Sequence, residues 1–218
     1  MNDNSIYPIK KELAPLKKGH QRSACFFLKS APVLSALPEQ LTPEIAFWGR
    51  SNVGKSSLLN VVMQSSSLAR VSKTPGCTQA IHFYQCPPGL MLVDLPGYGF
   101  AKVPLSLKFK WHTLVTHYLS SRASLWKIYL LIDSRHPLQP ADRAALSFLA
   151  GTNKQCEIVF TKSDSIPRTL LEHHFNLFIQ EFPKLKVSCV SSKKKRGFDP
   201  IFEALSVFNP SFNFSSNS

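Results

Sequence analysis

The stretch Gly49-Arg50-Ser51-Asn52-Val53-Gly54-Lys55-Ser56 decides the fold. Glycine, four free positions, glycine, lysine and a hydroxyl residue is the spacing of a phosphate-binding loop. The flanks supply the context this pattern requires. Upstream, Ile45-Ala46-Phe47-Trp48 is a short apolar run behind Pro43, the length of a buried strand. Downstream, Leu58, Leu59, Val61 and Val62 recur at helical spacing, so the loop joins a strand to a helix. The two glycines let the backbone curl until successive N–H groups face one point, and the helix N-terminus adds positive potential there. Lys55 is expected to neutralise β- and γ-phosphate oxygens, and Ser56 to offer its hydroxyl to Mg²⁺.

Working outward, strands and helices alternate. Ala24 to Leu28 reads as a first strand or a packed extension, and Ser30 to Pro38 as a proline-punctuated connector. Beyond the phosphate loop, Ile81 to Tyr84 and Leu90 to Val93 read as strands joined by the turn Pro87-Pro88-Gly89. Helices are expected over Leu105–Leu119, Ala141–Leu149, Leu170–Ile179 and Pro200–Val207. Further strands are expected at Ile128–Ile132, Ile158–Phe160 and Val187–Val190. This alternation predicts an α/β fold of three layers, a mostly parallel sheet with helices on both faces. Residues 1–22 read as a basic mobile arm, 23–208 as one domain and 209–218 as a disordered tail.

No apolar run approaches the ~20 residues of a membrane span, and no amphipathic basic helix with an obvious apolar face stands out, so no stable membrane association is expected. The five cysteines are odd in number and include no closely spaced pair, which reads as reduced thiols in a cytoplasmic protein. His173 and His174 read as solvated, and His112 and His117 lack metal-ligand spacing. Lysine and arginine total 26 against 13 acids, a net charge of +13. Between Glu44 and Asp133 the only acid is Asp94, while Arg50, Lys55, Arg70, Lys73, Lys102, Lys108, Lys110, Arg122 and Lys127 all fall there. Basic clusters also lie at Lys10 to Arg22 and at Lys193-Lys194-Lys195-Arg196. Such charge attracts polyphosphate by counterion release.

Further stretches stand at predicted strand ends. Asp94-Leu95-Pro96-Gly97 follows one strand; its carboxylate can hold Mg²⁺ through water, and Gly97 can bring a backbone N–H to the γ-phosphate. Thr161-Lys162-Ser163-Asp164 follows another. An ionised Asp164 accepts from guanine N1–H and the exocyclic amine, two donors that adenine does not present there. The Lys162 stem can lie along the base face. Ser191-Ser192-Lys193 follows the strand ending at Val190, where a backbone N–H can reach guanine O6. A P-loop ATPase or nucleotide kinase remains an alternative, against which Thr161 to Asp164 speak.

Together these stretches resemble the Ras-like P-loop GTPases of the translation-factor class, and the EngB family in particular. The resemblance rests on Gly49 to Ser57, Lys73-Thr74-Pro75-Gly76-Cys77-Thr78-Gln79, Asp94 to Ala101 and Thr161 to Asp164. It implies a bacterial, cytoplasmic GTPase, expected to be monomeric, tied to large ribosomal subunit assembly and normal cell division and septation. Its expected partners are GTP, ribosomal RNA and a large-subunit precursor. It also implies a nucleotide site made of Gly49, Arg50, Ser51, Asn52, Val53, Gly54, Lys55, Ser56, Ser57, Gly76, Cys77, Thr78, Gln79, Ala80, Asp94, Leu95, Pro96, Gly97, Thr161, Lys162, Ser163, Asp164, Val190, Ser191 and Ser192. Thr78 becomes the mobile-loop ligand of Mg²⁺ beside Ser56 and Asp94, and Lys55, Asn52, Thr78 and Gly97 the catalytic set for hydrolysing GTP to GDP. Tyr98 stands where many relatives carry a water-orienting glutamine, so slow intrinsic turnover is expected. Thr161 replaces the usual asparagine. Relatives with asparagine at the Asn52 position use it to hold K⁺ near the phosphates, which makes K⁺ a further candidate cofactor. An RNA-binding scaffold with negligible turnover is the competing function.

Overall fold

A computed structural model describes residues 25–69, 80–87, 89–99 and 104–208. Its centre is β2 (Glu44–Gly49), buried along its whole length. Alternation along this strand builds both cores, because successive side chains point to opposite faces. Ile45 and Phe47 pack with Leu58, Leu59 and Val62 of α1 (Lys55–Val62) and with Ile201, Phe202 and Leu205 of a C-terminal helix. Ala46 and Trp48 face the opposite core, with Leu114, Val115, Tyr118 and Leu119 of α2 (Leu105–Ser121).

The remaining strands are β1 (Phe26–Ala31), β3 (Ile81–Cys86), β4 (Leu90–Asp94), β5 (Leu125–Asp133), β6 (Gln155–Thr161) and β7 (Lys186–Cys189). The remaining helices are α3 (Pro140–Ala150), α4 (Arg168–Glu181) and α5 (Asp199–Ser206). Among the described residues they form one seven-stranded sheet in the order β1-β3-β4-β2-β5-β6-β7. From β4 to β7 every pairing is parallel; β1 and β3 extend it antiparallel. The helices α1 and α5 cover one face, and α2, α3 and α4 the other. The fold is the three-layer arrangement expected. Because the chain leaves β2 for β3 and β4 on one side and β5 on the other, a crevice opens at the carboxyl end of β2, where α/β sheets bind ligands.

Two strands run longer than their apolar pattern suggests. β1 reaches Ala31 because it pairs with β3 as a bulged edge strand, leaving most of its side chains exposed and the alternation hidden. β5 begins at Leu125 because Lys127, polar in sequence, is buried in an ion pair with Glu157. Arg122 is buried too: it holds Glu44 through Nε and Nη2, at 3.0 and 2.5 Å, while the Tyr118 hydroxyl donates to the same carboxylate at 2.7 Å. Both cations therefore stabilise the interior and do not contribute to the basic surface.

The reading of all cysteines as free thiols is overturned for two of them. Cys25 and Cys86 form a disulfide across the β1–β3 pair, 61 residues apart in sequence with Cα atoms 4.2 Å apart. Strand pairing brings them together, which is why sequence spacing carried no sign of it. Cys156 and Cys189 are free, and Cys77 lies outside the described residues. His174 departs from a purely solvated reading as well, since its Nδ1 lies 2.9 Å from the Ser134 carbonyl.

Candidate functional site

The crevice at the end of β2 gathers three of the segments singled out in the sequence. Gly54 caps α1 with φ of +105°, a conformation that favours glycine and turns the loop into the helix. Gly97 approaches so closely that a Cβ there would lie 3.1 Å from both the Gly49 carbonyl and the Ser51 nitrogen. Backbone bonds lock this approach: Tyr98 N–H donates to Gly49 at 3.2 Å, and Ser51 N–H to Tyr98 at 3.0 Å. Lys55, 7% exposed, forms an ion pair with Asp94, 2% exposed, at the end of β4. Leu95 and Pro96 are buried behind it.

Ser56 and Ser57 sit in the first turn of α1, beside that pair. A serine hydroxyl and a buried carboxylate are hard oxygen donors of the kind Mg²⁺ prefers. Among the described residues no three His, Cys, Asp or Glu side chains cluster as a metal cage. The donor set therefore suits an ion completed by phosphate and water, with Ser56 and Asp94 as the protein's oxygens. Gly76, Cys77, Thr78 and Gln79 lie outside the described residues; Ala80, buried, precedes β3.

The segment Thr161 to Asp164, expected to read the base, is tied directly to the phosphate loop. Thr161 Oγ1 donates to the Val53 carbonyl at 2.6 Å. The threonine in place of asparagine thus fixes the loop itself. Lys162, with φ of +57°, sends its ammonium to the Asn52 carbonyl at 2.6 Å and to Asp133 at 2.7 Å. Its stem passes over Gly54, whose added Cβ would sit 3.8 Å from Lys162 Cε. Asp133 also binds Arg135, at 2.7 and 2.9 Å. Burial works against its ionisation, yet hydrogen bonds from Arg135 and Lys162 prevail and bring its pKa down to about 2.

Asp164 accepts from the Ser191 hydroxyl at 2.6 Å, a bond that lowers its pKa and keeps it ionised. Ser163 N–H reaches the Val190 carbonyl at 3.2 Å, joining the two base-side loops. Ser191 N–H donates to Arg196 and Arg196 N–H returns the bond, at 3.0 and 3.1 Å. The Ser191 N–H, expected to be free for guanine O6, is thus engaged by the Arg196 carbonyl.

Tyr98 is turned away from the phosphate side. Its ring meets Trp48 edge-on at 4.9 Å, and its hydroxyl donates to Asp142 at 3.0 Å. Burial and the Asp142 carboxylate push the phenol's pKa up. Asp142 also receives the Gln139 N–H at 3.0 Å, with Arg50 at 3.8 Å. Sequence reasoning missed both Asp133 and Asp142. Asp133 carries the signal that picked out Asp94, an acid ending an apolar strand; Asp142 carries none, being one acid among polar residues at a helix start.

A phosphate loop tied to an acid-bearing base loop, on this sheet order, defines a Ras-like P-loop GTPase. Residues 44–162 match the family described as "50S ribosome-binding GTPase". The "Probable GTP-binding protein EngB" of Tolumonas auensis is 41% identical over 184 residues, 83% of this chain and 87% of that protein. The chain belongs to the EngB family of GTP-binding proteins and hydrolyses GTP. Among solved structures, a probable GTP-binding protein engB superposes with a TM-score of 0.60 at 21% identity, covering 78% of this chain and 98% of that one. Era, in complex with MgGDPNP and nucleotides of 16S ribosomal RNA, gives a TM-score of 0.63 at 22% identity, covering 75% of this chain and 55% of that one. Both likenesses concern the fold.

Proposed function

We propose that this GTPase acts in assembly of the large ribosomal subunit by binding ribosomal RNA on a subunit precursor, and that normal cell division and septation depend on it. In this reading Lys55 neutralises the β- and γ-phosphates, Ser56, Asp94 and Thr78 hold Mg²⁺, Gly97 senses the γ-phosphate, and Asp164 with Ser192 reads guanine. Nucleotide state orders or releases the segments around Thr78 and Gly97. The observation that carries the RNA reading is the turn Lys193-Lys194-Lys195-Arg196. Reciprocal backbone bonds between Ser191 and Arg196 fix it, and Ser191 is the residue that holds Asp164. Four consecutive cations are thus presented rigidly beside the base-recognition residues. The family's description as ribosome-binding agrees with this.

Sedimentation with large subunits under GTP, GDP and no nucleotide tests the proposal. Binding should be salt-sensitive, and reversing all four turn residues to glutamate should weaken it and flatten the salt slope. Equal affinity at low and high salt overturns the reading. The second reading, a scaffold that barely turns over, is favoured by Tyr98, whose hydroxyl is committed to Asp142. Single-turnover rates with and without ribosomal particles, in K⁺ and in Na⁺, separate the two. A switch accelerates with particles, and Asn52 acting on K⁺ makes the potassium rate higher; a scaffold stays slow throughout.

A further inference from the structure

Between the loop after β4 and α2 runs a groove of about 460 Å³, lined by residues that include Trp48, Tyr98, Lys108, Phe109, Trp111 and His112. None of its lining residues belongs to the phosphate or base contacts proposed above except Pro96 and Gly97, which form its inner wall. The core face of α2 is set by Trp111, Leu114, Val115, Tyr118 and Leu119, all buried. Phe109 lies outside that series and is 73% exposed. Core packing does not explain a phenyl ring there.

The surroundings select a partner. From Leu95 to Ile132 the chain has no aspartate or glutamate, while α2 alone carries Lys108, Lys110, His112 and His117. A second copy of this chain, with net charge +13, would be repelled. An aromatic-lined groove whose lining carries Lys108 and His112 and no carboxylate is the combination that unpaired nucleic acid fits, with bases stacking on rings and phosphates meeting the polar side chains. Its volume lies within the ~300–1,000 Å³ of small-molecule sites, enough for a nucleoside.

The geometry points to this groove as the seat of an unpaired RNA base, stacked on Phe109, with Lys108 and His112 meeting the flanking phosphates. The inference rests on the RNA-binding reading above and names a surface for it separate from the Lys193–Arg196 turn. Since Pro96 to Gly99 form one wall, the loop that approaches the phosphate side also shapes the base seat.

The test uses the full chain with GTP and a short unpaired RNA of mixed sequence, reading fluorescence anisotropy and tryptophan emission. Trp48 and Trp111 line the groove, so a seated base should quench them. Phe109→Ala should weaken binding about five- to hundredfold and remove most of the quench. Phe109→Tyr should keep both. Phe109→Leu, which retains apolar area but no ring face, should behave like the alanine variant. Phe109 is exposed, so these changes should leave unfolding unchanged. The proposal is overturned if leucine binds as well as phenylalanine, which indicates docking of an apolar protein side chain. It is also overturned if alanine changes nothing, if duplex RNA of equal length competes equally, or if the wild type binds no RNA. Sedimentation with large subunits separates the levels: undiminished binding by Phe109→Ala sinks the groove alone, whereas no binding by the wild type sinks the ribosomal reading with it.

Discussion

The two ends of the nucleotide crevice each present a carboxylate, Asp94 ending β4 and Asp164 in the turn after β6, and they hold it in opposite ways. Asp94 is buried against Lys55 and lies beneath the loop that Gly97 presses onto the phosphate segment. Asp164 is half-exposed and held by one side-chain hydroxyl, that of Ser191. Taking two charges out of water is costly, so the Lys55–Asp94 pair makes the fold depend on both members. Asp164 stays in a polar, partly solvated setting, where its acceptor oxygens are available to a ligand and little of the fold depends on them. One end couples binding to stability; the other separates them.

The largest effect that tests this contrast is on Asp94. Asp94→Ala leaves the Lys55 ammonium buried without its partner and should destabilise the protein by about 3–5 kcal/mol in urea unfolding without nucleotide. Lys55→Met with Asp94→Leu should recover part of that loss, because Lys55→Met removes the stranded charge. If Asp94→Ala unfolds at the wild-type midpoint, the phosphate end is no more structural than the base end, and the comparison breaks.

Asp164 should give the reverse outcome. Asp164→Asn should leave unfolding within about 0.5 kcal/mol of wild type. Guanine offers two donors to a carboxylate, and an amide presents one donor and one acceptor, which suits xanthine. At about 1–3 kcal/mol for each mispaired contact, GTP affinity should fall on the order of a hundredfold while XTP affinity rises. Asp164→Ala should lose the first without gaining the second. Titrations with both nucleotides decide it, and an asparagine variant that still prefers GTP removes Asp164 from base recognition.

What the sequence made legible follows the same division. Residues expected to face a ligand are set by local spacing, because phosphate and base chemistry needs particular groups at fixed places along one turn. Gly49 to Ser56, Asp94 to Gly97 and Thr161 to Asp164 could be picked out that way. The bonds joining these segments could not. Thr161 to Val53, Lys162 to Asn52 and Asp133, and Tyr98 to Asp142 span from 29 to 110 residues, and only the sheet order brings them together. Tyr98 shows the limit: its sequence position marked the missing glutamine, but only the fold shows the hydroxyl turned to Asp142. The disulfide belongs to the same class, since its two cysteines meet through strand pairing alone.

The smallest effect concerns Asp133, which joins the two ends through Lys162 without facing either ligand. Its pKa of about 2 lies below the ordinary 3.8, so the unfolded chain takes up its proton first as pH falls. The stability from its bonds to Arg135 and Lys162 is therefore fully present above pH 3.8 and is lost as pH falls through about 2. A shift of this size, taken without solvent screening, corresponds to about 2.4 kcal/mol. Arg135 is 43% exposed and Lys162 26%, so solvent screening reduces the expected contribution to about 1 kcal/mol. Asp133→Asn should accordingly be less stable than wild type by about that amount at pH 7, with the gap narrowing between pH 4 and pH 2 in urea unfolding. GTP affinity of the same variant sharpens the comparison further. Lys162 would keep its bond to the Asn52 carbonyl while losing its carboxylate anchor, so weaker GTP binding at pH 7 means the anchor positions the lysine for the base. A gap that stays constant from pH 7 to pH 2 would show that Asp133 supports the crevice through shape, and that its charge joins nothing.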